Sequence, residues 1–372
     1  MRIAIDAVPL LLRSAGVKTY LYHWIQRLRR LAGEENILAF PWIGALGEYS
    51  HEKSIAGRPG TFARLLWLHG VNYCHLPVLD WVPSRVDIFH ASHQLRNPPR
   101  RSRLTTTLYD MTCWLLPETH SPANVRALRR FWDCVARRAD GLIAISENTR
   151  EDAVRILDLP RERIQVIYPG VADAFFHVDA EQAWEVRQQY GLASPYVLYV
   201  GTIEPRKNID TLLDAWGQLK SSLREEFELV LAGPMGWAAP ATARRVHAGA
   251  PGVRYLGYVP EEDLPAVTAG AVLFAYPSLY EGFGLPLAQA MAAGVAVIAS
   301  DVSSIPEVVG EGGILVDPRS PSELAGAIER LLLDPERRAE LGGLGTRRAR
   351  CHFTWGRCAR ESLEFFERVC GT

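Results

Sequence analysis

"AVLFAYPSLYEGFGLPLAQAMAAGVAVIAS", residues 271 to 300, decides the fold. The opening "AVLFAYPS" is a short apolar run closed by Pro277 and Ser278, the pattern of a strand buried on both faces. Gly282 and Gly284 then form a corner. A helix begins near Leu285, with Pro286 in its first turn, where a missing N–H costs nothing. "VAVIAS" is the next buried strand. A strand, a glycine corner, a helix and another strand predict parallel strands joined by a helical crossover. The corner is not a dinucleotide fingerprint, because the third glycine of that motif would fall at position 287, which is Leu.

The same alternation runs outward in both directions. "GILVD" follows as a strand, then a long helical stretch from about Ser320, then a separate amphipathic tail helix in "FTWGRCARESLEFFERV". Before the opening stretch, "YVLYVG", "FELVLAG" and "VRYLGYV" read as strands, with a helix from about Ile209. Ahead of a polar connection, a first half repeats the pattern. Its strands are "RIAIDA", "NILAF", "VDIFHAS", "RLTTTLYDM", "GLIAIS" and "IQVIYPG"; a helical stretch runs from about Pro122 to Arg138, and Ser146 is placed to N-cap another helix. A chain of 372 residues predicts about two domains rather than one core. Their expected spans are 1–180 and 190–350, with the tail helix 353–372 crossing back onto the first. Ligands of such sheets bind outside the carboxyl ends of the strands, so two facing domains predict a central cleft.

Hydrophobic content of 48% and charged content of 22% are those of a globular protein. A net charge of −1 gives no general electrostatic reason to expect nucleic acid. Charge is uneven, however: Arg126, Arg129, Arg130, Arg137 and Arg138 crowd one region. They read as solvated helix faces, or as a surface for anionic lipid or an anionic acceptor. The six cysteines are scattered, without C-x-x-C or metal-ligand spacing, so no metal is expected. Reduced thiols fit a cytoplasmic setting. "MRIAIDAVPLLLRSAG" reads as a buried strand interrupted by Asp6 and Pro9, not as a signal peptide, and no run of about 18 apolar residues spans a membrane. The expected location is cytoplasmic, with a peripheral place at the inner membrane face as an extension of it.

Two corners carry chemistry. In "YVLYVGTIEPRKNIDTLLDAW" a strand ends at Gly201, and the cations Arg206 and Lys207 follow just before a helix. Cations beside free N–H groups and the positive end of a helix dipole make an anion site. The second corner is that of residues 280–289. There the N–H groups of Gly284, Leu285 and Leu287 can cradle a phosphate, with Glu281 ahead of them and Gln289 about two turns on. Taken singly, these are surface charges and a capping acid. Together they suggest cations for a diphosphate and polar acceptors for sugars.

These residues carry a resemblance. "GTIEPRKN", "LVLAGPMGW", "LGYV", "PSLYEGFGLPLAQAMAAGVAVIASDVSSIPEVVGEGG" and the closing "FTW" helix resemble the retaining glycosyltransferases of family 4. "FHAS", "TLYDMTCWLLPETH", "IAISENT" and "IQVIYPGV" resemble them more loosely in the first half. The resemblance implies the α/β GT-B fold: two Rossmann-like, doubly wound parallel-sheet domains facing a central cleft. It implies that Arg206 and Lys207 hold the diphosphate of a nucleotide sugar and that Glu281 contacts donor-sugar hydroxyls. Gly201, Thr202, Gly282, Phe283, Gly284 and Leu285 would line the donor, Tyr258 would lie near the base, and Gly16 would lie near the phosphates. Gln289 stands where the family has a second acid for the ribose, so that contact should weaken. Tyr109 stands where many relatives have His; with Asp110 it would border the acceptor side, and His120 is a further candidate there. For acceptor binding, Trp42, Trp67, Trp81 and Arg96 are candidates, core packing being the commoner role of such tryptophans.

The implied reaction is hexose transfer, mannose or similar, from a nucleotide-diphosphate sugar to a glycan or lipid-linked acceptor in cell-surface polysaccharide synthesis. GDP-mannose is the first guess. No cofactor is expected beyond the sugar nucleotide as co-substrate, and no D-x-D motif points to a metal. The alternatives are a GT-B phosphorylase or epimerase and, from a different class, a catalytically weakened protein that binds a glycan or partner.

Overall fold

The computed structural model describes residues 1–12, 16–47, 49–50, 53–74, 86–92, 95, 97–237 and 239–371. Trp81 and Arg96 lie outside the described residues. The chain divides into two compact units, Met1–Gly170 with Trp355–Thr372, and Val171–Thr354.

The first unit is a parallel sheet of β1 (Ile3–Asp6), β2 (Ile37–Phe40), β3 (Ile88–Ala91), β4 (Arg103–Leu108), β5 (Gly141–Ala144) and β6 (Ile164–Val166). Their order is β2-β1-β3-β4-β5-β6. The strands are short and buried because helices cover both faces, and the polar residues among them, such as Asp6, His90 and Thr105–Thr107, are buried too. α1 (Gly16–Ala32) and the tail helix (Trp355–Cys370) pack together on one face, where Trp24 Nε1 donates to Ser362 Oγ at 2.9 Å. The other face buries Phe40, Phe89, Leu104 and Leu142 under α2 (Arg58–Cys74), α4 (Pro122–Cys134) and α5 (Glu147–Leu157). A short α3 (Thr112–Leu115) follows β4. Ser146 caps α5, accepting from Thr149 N at 3.0 Å. The helical stretch expected to reach Arg138 stops at Cys134, and Ala136–Arg138 forms a separate 3-10 turn.

The second unit carries β7 (Tyr196–Val200), β8 (Glu228–Ala232), β9 (Val253–Gly257), β10 (Leu273–Tyr276), β11 (Val297–Ser300) and β12 (Gly313–Val316). They form a second parallel sheet, in the order β12-β11-β10-β7-β8-β9. Its helices are α6 (Ala180–Gln189), α7 (Ile209–Gln218), α8 (Ser221–Glu226), α9 (Pro240–Ala248) and α10 (Leu264–Ala269), then α11 (Leu285–Ala292), α12 (Ile305–Val309), α13 (Pro321–Leu333) and α14 (Pro335–His352). The stretch expected to be one long helix from Ser320 is two. Pro335 cannot continue α13, and Asp334 caps α14 by accepting from Arg337 N at 2.9 Å. Both units are thus Rossmann-like, doubly wound parallel sheets. In the second, the winding reverses between the neighbours β7 and β10. Loops leaving the carboxyl ends of those two strands therefore emerge side by side.

Candidate active site

Those two loops are the corners singled out in the sequence. After β7 the chain passes Gly201 and Thr202, both half-buried, into a 3-10 turn at Pro205–Lys207. Asn208 sits at φ 58° and ties the turn down by donating to Pro277 O at 3.0 Å and Pro318 O at 2.7 Å. The loop after β8 braces it from behind: Ile203 N donates to Pro234 O at 2.9 Å. This needs backbone against backbone. A Cβ on Gly233 would lie 2.1 Å from Gly201 O, so only glycine fits there.

Four charged groups meet at the junction. Arg206 donates to Glu281 Oε2 at 2.8 Å and to Tyr280 O at 2.7 Å, and through its other terminal nitrogen to Glu204 Oε1 at 2.8 Å. Lys207 Nζ donates to Glu281 Oε1 at 2.6 Å and to Tyr276 OH at 3.0 Å. Tyr276 OH in turn donates to Glu281 Oε1 at 3.0 Å. Glu281 is fixed through its backbone as well, since its N–H donates to Ser303 Oγ and its carbonyl accepts from Ser304 Oγ, each at 2.9 Å. Glu204, Lys207 and Glu281 are buried. Burial alone would push the Glu281 carboxyl up, but Arg206 and Lys207 outweigh it and hold it at about 2. Burial, with Arg206 alongside, lowers the Lys207 ammonium against the pull of Glu281 and Glu204.

The convergence of the two corners is real, but Glu281 differs from its expected place. Both of its oxygens are turned onto the cations rather than left for sugar hydroxyls. Glu204 was missed, and its only signal was its position two residues before Arg206 in "EPRK". At the second corner, Gly284 takes φ +94° and leads into α11. The amide cradle is smaller than expected: Leu287 N donates to Gly284 O at 3.0 Å, which leaves the N–H groups of Gly284 and Leu285 for a ligand. The Phe283 ring packs edge-on against Phe353 at 5.2 Å and is buried, so only its backbone is available. Gly282 is buried beside Glu281, and Leu285 is half-buried. Gln289 is 6% exposed on α11, and its side-chain amide forms no hydrogen bond among the described residues. Tyr258 follows β9, at the far edge of this sheet from β12, and is half-buried.

The remaining candidates belong to the first unit. Gly16 is exposed at the first position of α1. Tyr109 leaves the end of β4, set edge-on to Tyr20 at 5.4 Å; burial, with Asp6 nearby, raises its phenol. Asp110 accepts through Oδ1 from Thr112 N at 3.0 Å and from Thr112 Oγ1 at 2.6 Å. His120 Nε2 lies 2.8 Å from that same hydroxyl, and Asn124 Nδ2 lies 3.2 Å from His120 Nδ1. A chain from Asn124 through His120 and Thr112 thus fixes one oxygen of Asp110. His120 is committed to it through both ring nitrogens.

Residues 182–348 match the family "Glycosyl transferases group 1" and residues 14–175 match "Glycosyltransferase Family 4". The O-antigen chain mannosyltransferase B of Escherichia coli is 35% identical over 273 residues, which is 73% of this chain and 71% of that one. The serotype-specific mannosyltransferase WbdA of Escherichia coli is 30% identical over 241 residues, 62% of this chain but 29% of that longer protein. The crystal structure of Anabaena HepE in complex with UDP and glucose aligns with a TM-score of 0.72 at 20% identity over 99% of both chains, a likeness of fold. With a match in each unit and a relative spanning most of its length, the chain belongs to the family 4 glycosyltransferases of GT-B fold.

Proposed function

We propose that this glycosyltransferase moves a hexose, with retention, from a nucleotide-diphosphate sugar to a glycan or lipid-linked acceptor in cell-surface polysaccharide synthesis. GDP-mannose is the first donor to test, because the relatives named above are mannosyltransferases. The reading places the enzyme on the cytoplasmic side. A peripheral position at an anionic membrane face belongs to it, since that is where a lipid-linked acceptor is held.

The observation that carries the reading is the meeting of Arg206 and Lys207 on Glu281 beside the first amides of α11. Glu204, Glu281, Arg206 and Lys207 together are formally neutral, which makes their burial tolerable. A diphosphate entering beside the N–H groups of Gly284 and Leu285 meets preorganised cations and the positive end of a helix. Both cations then share their bonds between Glu281 and phosphate oxygens, while Glu204 keeps Arg206 aimed. In the transfer, the bond from the sugar C1 to the diphosphate oxygen breaks and a bond to the acceptor oxygen forms on the same face. The acceptor's proton passes to the departing phosphate. Negative charge grows on that phosphate as the bond breaks, where fixed donors in a water-poor site act most strongly. The side chains of this site supply that charge stabilisation, and the reading includes no resident cofactor.

The test is GDP release from GDP-mannose by purified protein in the presence of polysaccharide acceptors. Removing one such donor costs about 10²–10³ in rate, so Arg206→Ala and Lys207→Ala should each lower kcat/KM by about that factor. Equal background turnover by wild type and both variants would favour a glycan-binding protein instead.

A further inference from the structure

We propose that Ser303 and Ser304 are positioning residues for the transfer, holding the backbone of Glu281 so that its carboxylate keeps Arg206 and Lys207 aimed. This deepens the transferase reading above and rests on it.

Glu281 needs such a hold. Gly282 follows it at once, and Gly284 beyond takes φ +94°. Glycine leaves the backbone free to rotate, and a small rotation at Glu281 swings both carboxylate oxygens off the cations. The loop after β11, the neighbour of β10 in the sheet, supplies the restraint. Glu281 N–H donates to Ser303 Oγ, and Glu281 O accepts from Ser304 Oγ, each at 2.9 Å. The two peptide groups flanking one Cα are thereby fixed by two consecutive side chains.

Each serine is placed against its own local preference. Ser303 takes φ 53°, in the left-handed region, where an L side chain crowds the backbone. Other left-handed turns of this unit hold glycine, as at Gly284, Gly294 and Gly310. Among the described residues of the second unit, only Asn208 and Ser303 adopt this conformation with a side chain present. Both adjoin the charged cluster: Asn208 follows Lys207, and Ser303 bonds Glu281. Backbone strain gathered at one site marks positions whose geometry the function requires. Glycine at 303 would relieve the strain but remove the hydroxyl that Glu281 uses. Ser304 stands at the N-cap of α12, where a serine hydroxyl ordinarily accepts from an N–H of the first turn. It forms no such cap. Its side chain is buried and donates to Glu281 instead. Both hydroxyls are therefore committed to the loop that carries the carboxylate rather than to their own.

The test is steady-state turnover of GDP-mannose, read beside urea unfolding, for Ser303→Gly, Ser304→Ala and Ser303→Thr. The first two each lose one bond to Glu281. Their kcat should fall about tenfold with KM nearly unchanged, because the aimed cations act on charge that grows during transfer. Ser303→Thr keeps the hydroxyl and should stay within about twofold of wild type. In urea the order reverses. A β-branched residue is strained in the left-handed region and glycine is not, so Ser303→Thr should unfold at a lower urea midpoint than Ser303→Gly. A merely structural role would make activity follow stability. Turnover by Ser303→Gly equal to that of wild type overturns the proposal, as does a loss in Ser303→Thr as large as in Ser303→Gly. If wild type releases no GDP, the donor reading fails by itself, and a urea double-mutant cycle decides the serine clamp. Lys207→Met should then lower the midpoint less in the Ser303→Gly background than in wild type, because Glu281 is already loosened from Lys207. Equal losses in both backgrounds overturn the clamp.

Discussion

Glu281 shows how burial and pairing compete at one carboxylate. Because its folded pKa lies near 2, below the ordinary 4.5, its pairing stabilises the fold above pH 4.5 and is lost as pH falls towards 2. Removing a single partner strands the other charge. Lys207→Met and Glu281→Gln should each cost about 3 kcal/mol in urea unfolding, and the double variant should cost clearly less than their sum. Strict additivity would mean that the pair is not coupled. Two further buried groups, His90 and Asp6, each held by its own partners, act with opposite signs. His90 is held by the hydroxyls of Thr105 at 2.9 Å and Thr107 at 3.0 Å, and burial lowers its pKa to about 3. Its contribution is complete above pH 6.5 and drains away on acidification, at about 1.4 kcal/mol per pH unit. Burial raises Asp6 to about 6, against its bonds from Ser92 and Val8, so its contribution is complete below 3.8 and is lost as pH rises through 6. Between these values the two slopes oppose each other. Asp6→Asn removes one of them, so stability should fall more steeply than wild type from pH 6 to 4. Parallel curves for variant and wild type, from urea midpoints at each pH, would sink this account.

At the level of elements, the tail helix is part of the first unit's core rather than an appendage. Phe366 is fully buried, 5.8 Å from the His90 ring and 6.1 Å from that of Trp24. Phe366→Ala should therefore cost about 3–5 kcal/mol. Leu333→Ala, at a side chain 64% exposed, should stay within about 0.5 kcal/mol in the same urea titration. Similar small losses for both would show that the tail helix is only loosely docked. The parallel strands were legible because burial on both faces leaves continuous apolar runs, as in "YVLYV". α2 was legible only as the helical fragment "TFARLLWLHGV" within residues 42–82, without its bounds, because it is apolar inside at Leu65 and outside at Phe62 and Leu66, which blurs the helical period. Arg206 and Lys207 stood out as a cation pair directly after a strand. Glu204 did not, because a lone loop acid becomes a buried partner only once the 234–236 loop packs behind it. His90 and Asp6 were hidden for a related reason: a polar residue in a buried strand finds its hydroxyl partners on neighbouring strands, far away in sequence.

At the scale of the whole chain, the cation cluster is a consequence of winding. Arg206 and Glu281 are 75 residues apart in sequence, and they meet because β7 and β10 are neighbours where the strand order reverses. Every member of the cluster belongs to the second unit, so its coupling to a ligand can be read from that unit's stability. A nucleotide that binds only the folded form at about 100 times its Kd stabilises it by about 2.7 kcal/mol. For a unit of this size, that corresponds to a rise of about 5–10 °C in melting temperature. Scanning calorimetry with GDP as the probe should therefore move the transition of the second unit and leave that of the first in place. Arg206→Ala/Lys207→Ala should abolish the shift without removing the transition itself. The assignment of the diphosphate to these two cations fails if the double variant retains the full shift. A shift shared equally by both transitions would instead mean that nucleotide binding draws on side chains of the first unit as heavily as on the β7 and β10 corners.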